Sequence, residues 1–161
     1  MKNALCLLIL FSFNFKTELP DLNQKIVTYV DSVMGTKVDR GECWDLAAGA
    51  LAYADAYFDR SSKKTAIIYG RRVNPDKEEV FPGDLIQFAN VKLQWKDGNT
   101  IYTEEMGQHT AIVYQVNGTK NYEIAHQNTS AWGKKVKTSN FNLAHLQKGK
   151  VMIYRPVKEK P

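Results

Sequence analysis

The chain has 161 residues, the size of one domain with a core large enough to fold alone. With 43% hydrophobic and 24% charged residues, its composition is that of a globular protein and excludes a disordered one. A net charge of +5 favours anionic partners, yet no Lys/Arg run or arginine-rich helix marks a nucleic-acid surface.

The chain opens with a positive Lys2, an almost purely apolar run from Ala4 to Phe15, and Lys16. That run matches a signal-peptide core and is too short to span a bilayer. It predicts an export leader over residues 1–18, a domain over 19–161, and a periplasmic, wall-associated or secreted location. Of the two cysteines, Cys6 lies inside the leader and Cys43 does not. Leader removal leaves Cys43 alone, so no internal disulfide can form. A leftover thiol in an exported protein is either reactive or a hidden core residue.

Beyond the leader, Leu22, Ile26, Val27, Val30 and Val33 recur at helical spacing, and Gly35 follows as a C-terminal cap. A second, Ala-rich helix is predicted over 43–58, with Asp39 and Glu42 near its positive end. From residue 65 the pattern becomes strand-like. "TAIIYG" reads as a strand, and "DLIQFANVKLQW" and "NTIYTE" flank a turn at Asp97-Gly98. "HTAIVYQV" and "NYEIAHQ" flank another at Asn117-Gly118, "NFNLAHLQ" reads as a short helix, and "KVMIYRP" as a last strand. The expected fold class is α+β: N-terminal helices packed on a mostly antiparallel sheet of five to six strands.

Asn-Gly is the preferred pair for a two-residue type I′ loop. With Asn117 and Gly118 as that loop, His109 faces His126 across the strands, with Cβ atoms roughly 5 Å apart. His109, Ala111 and Val113 then share a face with His126, Ile124 and Tyr122. Asn128, two residues on, points the same way.

These residues suit thiol chemistry. The thiolate is the nucleophile, and an ordinary thiol is mostly protonated at neutrality. Cys43 begins a helix whose dipole favours an anion and whose first N–H groups can meet an oxyanion. His109 is the natural base, and His126 or Asn128 the group that orients it. Glu42 and Trp44 flank the cysteine and can line the mouth of such a site, although an acidic neighbour raises a thiol pKa. Cys43, His109 and His126 are conceivable as zinc ligands, but no close-spaced ligand pair supports a metal, and no cofactor is expected.

With these residues in hand, the chain resembles the papain-like cysteine peptidases and amidases of the CHAP and NlpC type. "GECWDLA", "FPGDLIQF", "GQHTAIVYQVNG" and "YEIAHQN" carry the resemblance, in the family's order, from about Asp39 to Arg155. The resemblance implies a papain-like fold with Cys43 as nucleophile, His109 as base and His126 as third residue. Asn128 resembles an asparagine of CHAP members. The implied activity is cleavage of an amide in peptidoglycan stem peptides by an exported thiol hydrolase, with peptidoglycan or another amide-containing wall substrate as partner. The "GECW" context departs from the usual motif. An inactive papain-like binding module, or an acyltransferase or deamidase acting on a protein, stands as the alternative.

Overall fold

The computed structural model describes residues 18–161, so nearly all of the expected leader lies outside the described residues. Helix α1 (Asp21–Val33) and helix α2 (Cys43–Tyr53) lead into a 3₁₀ turn at Thr65–Ile67. Strands β1 (Arg71–Val73), β2 (Leu85–Asp97), β3 (Thr100–Gly118), β4 (Asn121–His126), β5 (Lys137–Asn142) and β6 (Leu146–Arg155) follow. They form one antiparallel sheet in the order β1-β6-β2-β3-β4-β5. Helices followed by a six-stranded antiparallel sheet are the α+β layout expected.

Each face of the sheet buries its own apolar layer. On one face Ile26 and Val30 of α1 and Leu46, Ala47, Ala50 and Leu51 of α2 pack on Leu85, Ile112, Ala125 and Tyr154. The alanines let α2 approach the strands closely. On the other face Ile86, Phe88, Ala111, Val113, Ile124, Phe141 and Ile153 meet one another and Val80. Fully burying a side chain of this size contributes ~1.5–3 kcal/mol. Side chains alternate between the two layers along each strand.

Five elements differ from expectation, the first being "NFNLAHLQ", where only Leu143–His145 forms a 3₁₀ turn and the flanking residues belong to β5 and β6. Helix α2 stops at Tyr53, five residues early, because Asp55 takes a left-handed conformation (φ 53°) and the Ala56 N–H turns back to the Leu51 carbonyl. "TAIIYG" forms a 3₁₀ turn that buries Tyr69 rather than a strand, and the strand comes next, as β1. The β3–β4 loop is Thr119-Lys120, not Asn117-Gly118: Gly118 pairs with Asn121, and Lys120 supplies the positive φ (58°). The β2–β3 loop likewise sits one residue late, at Gly98-Asn99, since Asp97 pairs with Thr100.

The "PGD" turn fastens the sheet to α1. Asp84 is fully buried and accepts from Arg155 Nε (3.1 Å) and Nη2 (2.8 Å), Asn23 Nδ2 (2.8 Å) and the Phe81 N–H (2.9 Å). Before it, Gly83 (φ 85°) leaves no room for a side chain, since a Cβ there would come 2.4 Å from the Asn23 carbonyl oxygen. Replacing Asp84 by alanine strands the mostly buried Arg155 guanidinium and the Asn23 amide. Asp84→Ala is expected to lose ~3–5 kcal/mol in urea denaturation; an unchanged midpoint would show that the turn holds without its carboxylate.

Candidate functional site

Helix α2 begins where the sequence places it. Glu42 caps it, its side chain accepting from the Asp45 N–H, while Asp45 accepts from the Glu42 N–H at 3.0 Å. This capping box satisfies two otherwise orphaned donors. Arg40 reaches the buried Asp45 at 3.0 Å, and Lys134 holds Glu42 at 3.0 Å. Behind the box sits Gln127, fully buried. Its carbonyl accepts from the Val38 N–H (3.1 Å), and its amide donates to the carbonyls of Val38 (3.1 Å) and Glu42 (2.8 Å). Asn128 donates to Glu42 Oε2 at 2.9 Å. The end of β4 thus fixes the segment that leads into Cys43.

Cys43 is half-buried against β3. Burial pushes its thiol up from its ordinary range. The Thr110 N–H and hydroxyl and the Trp44 N–H oppose this without reversing it, and the Glu42 charge adds to the rise. The Thr110 hydroxyl is itself engaged, 2.9 Å from Gln87 Oε1 and 2.8 Å from the Tyr69 hydroxyl. A threonine cannot take a proton from a thiol at any ordinary pH. Trp44 lies between two cations, 5.2 Å from Arg40 and 4.5 Å from Arg60. A cavity of about 360 Å³ opens here, walled by Cys43, Trp44, Lys63, Ile67, Gln108 and Thr110, with His109 at its edge.

The two histidines meet each other, as expected of a ring and the group that orients it. His109 Nε2 lies 3.0 Å from His126 Nδ1, and His126 Nε2 lies 3.0 Å from Ser139 Oγ. Phe88 packs beside the His109 ring, 6.1 Å between centroids, and Trp132 edges onto His126 at 6.0 Å. Phe88 and Ile124 belong to the layer away from the helices, so both imidazoles project to that face. Thr110, next in β3, projects to the helix face with Tyr69 and Ile112. No hydrogen bond joins Cys43 to either histidine among the described residues.

The direct pairing expected of His109 with His126 is corrected by two residues. Val113 pairs with Ile124 and Ile112 with Ala125, so Ala111 falls opposite His126, and His109 is its diagonal neighbour. Register shifts around Tyr114 and Asn117 absorb one residue each. Because the net offset is even, the shared face survives. Glu42 and Asn128 are brought together, Trp44 stands beside Cys43, and Thr110, Gln127 and Ser139 are site residues that the sequence reading did not single out.

A cysteine opening a helix laid on an antiparallel sheet defines a papain-like cysteine-proteinase fold. The chain belongs to the AIM3/BBC1 cysteine proteinase-fold domain family, whose model matches residues 20–160. A curated relative is altered inheritance of mitochondria protein 3 of Debaryomyces hansenii, 29% identical over 146 residues. The match spans 82% of this chain and 15% of that protein. Among solved structures, NlpC2 of Trichomonas vaginalis superposes with a TM-score of 0.55 at 18% identity, over 87% of this chain and 49% of that one. Ly7917 matches with a TM-score of 0.47 at 16% identity, over 82% of this chain and 62% of that one.

Burial, with the neighbouring His109, pushes His126 down to about 4. An unfolded histidine binds its proton near pH 6.5. Between those values the unfolded chain holds the extra proton, so stability falls as pH drops through that window. The urea midpoint is expected to fall between pH 7 and pH 5, and to fall less in His126→Gln. Equal slopes in the two proteins would contradict the depressed value.

Proposed function

We infer that this domain is a papain-fold recognition module in which the cleft beside Cys43 holds a peptide segment without thiol catalysis. One observation carries the reading: among the described residues Cys43 has no hydrogen bond to an imidazole and its near partners are the Thr110 N–H and hydroxyl, while His109 Nε2 is engaged with His126. A thiol with no proton acceptor and a raised pKa is a poor nucleophile near neutrality. The cleft still suits an extended peptide. Trp44 and Ile67 supply apolar wall, Gln87 and Gln108 supply amides, and Lys63 supplies a positive rim. The D. hansenii relative, nearly seven times longer than its matched part, supports a module that serves a larger chain.

A second reading is the exported thiol hydrolase acting on peptidoglycan stem peptides or a similar amide, with acyl transfer or deamidation of a protein as variants. His109 at the edge of the Cys43 cavity, and a helix start aimed at it, favour this reading. Alkylation by iodoacetamide across pH separates the two. The module reading expects the Cys43 rate to rise with a midpoint at or above the ordinary thiol value of about 8.5, unaltered in His109→Ala. A midpoint below neutrality that His109→Ala abolishes would establish the hydrolase. Incubation with peptidoglycan fragments, followed by mass spectrometry, is expected to show no Cys43-dependent release.

A further inference from the structure

The face away from the helices carries a constellation that reaches beyond the Cys43 cleft and shares His109 with its lining. Ser139 Oγ, His126 and His109 form a line across three adjacent strands, β5, β4 and β3, joined by two contacts of 3.0 Å each. The atoms follow the order of a hydroxyl-nucleophile relay: Oγ to Nε2 of the first ring, then Nδ1 of that ring to an acceptor. The acceptor here is the second imidazole, at Nε2. Both rings are nearly or fully buried, while Ser139 stays partly exposed. The line borders a cavity of about 480 Å³, with Trp132 on one wall and Glu104 and Glu105 at another. The Ser130 and Ala131 N–H groups lie on the Trp132 wall and enter no backbone hydrogen bond among the described residues.

We propose that Ser139, His126 and His109 form a second, serine-type acyl-transfer site whose substrates are small esters of neutral or cationic character. In the first step the Ser139 hydroxyl proton passes to His126 Nε2 as Oγ bonds to the ester carbonyl carbon. The bond from that carbon to the alkoxy oxygen then breaks, and the departing alcohol takes the proton back from Nε2. Water repeats the sequence on the acyl-Ser139, releasing the acid and restoring the hydroxyl. His126 donates its Nδ1–H to His109 Nε2 throughout, so His109 is a positioning residue that fixes the tautomer. The free N–H groups of the Trp132 wall are the donors at hand for the oxyanion. Trp132 offers a flat apolar surface to the acyl or alcohol group, and Glu104 disfavours anionic substrates.

A fluorophosphonate tests this directly, because an activated serine displaces its fluoride to form a phosphonyl ester. Peptide mass spectrometry of the labelled full chain is expected to find the adduct on Ser139. Labelling should vanish in Ser139→Ala and fall at least tenfold in His126→Gln, whose folding is checked by circular dichroism. The rate should be level at neutral pH and drop only as pH falls through about 4, where His126 gains its proton. Loss of the Nδ1 acceptor should lower the rate in His109→Ala, whereas His109→Gln, whose amide oxygen can accept from Nδ1–H, should retain most of it. No adduct on Ser139, or an undiminished rate in His126→Gln, would overturn the site. A rate in His109→Ala equal to that of the unaltered protein would remove His109 from the relay.

Discussion

Consecutive residues of a strand cannot face the same way, and that constraint governs the arrangement on β3. His109 and Thr110 are neighbours in sequence, so only one of them can look at α2. The regular β2–β3 register sets which one, pairing Phe88 with His109 and Gln87 with Thr110. Phe88 is fully buried away from the helices, and Gln87 with Tyr69 holds the Thr110 hydroxyl beneath them. A one-residue register slip of β3 would move Ala111 and Val113 to the helix side along with His109. It would also swap the whole apolar set of β3 between layers, a cost no single hydrogen bond offsets.

The same alternation distributes the polar groups of β3 and β4 between the two layers, although Gln108 and His109 line both cavities. At β4, Ala125 and Gln127 belong to the helix side, where Gln127 fastens the segment before Cys43. Ile124 and His126 belong to the other side, where His126 meets His109 and Ser139. The helix-start cleft therefore depends on a buried amide for its shape, and the histidine line on a separate layer of aromatic packing around Phe88 and Phe141. The family's cysteine-proteinase fold is preserved in the scaffold whether or not the thiol cuts.

Much of the architecture was legible because its signals are local. The first helix, the start of the second at Cys43, the long hairpin and the last strand follow from periodicity and turn residues. The shared face of His109 and His126 was also legible, although the loop chosen for it was wrong. Its survival depended on two bulges whose combined shift is even, and bulges leave little trace in residue type. The layer that α2 would cover was not legible. Both faces of β3 near the histidines are apolar, Ala111 and Val113 on one side and Ile112 and Tyr114 on the other, so hydrophobic pattern cannot choose between them. Resemblance to cysteine peptidases implies His109 as base for Cys43; the packing puts the His109 side chain in the layer of Phe88, with His109 also lining the Cys43 cavity. Strand β5, "KTSNFN", has too few apolar residues to announce itself, which kept Ser139 out of view.

A papain-like enzyme and a papain-like module need not differ by the loss of a residue type. The chain holds a cysteine at a helix start and two histidines on the expected strands. Burial raises the pKa of the Cys43 thiol, whose near partners are the Thr110 N–H and hydroxyl, while the imidazoles contact each other and Ser139. A motif read along the chain records which side chains are present and in what order. Reactivity depends on which of them a strand turns to the same side, and in this domain that choice is made by Phe88, Gln87 and the packing of β2, before any functional group is considered.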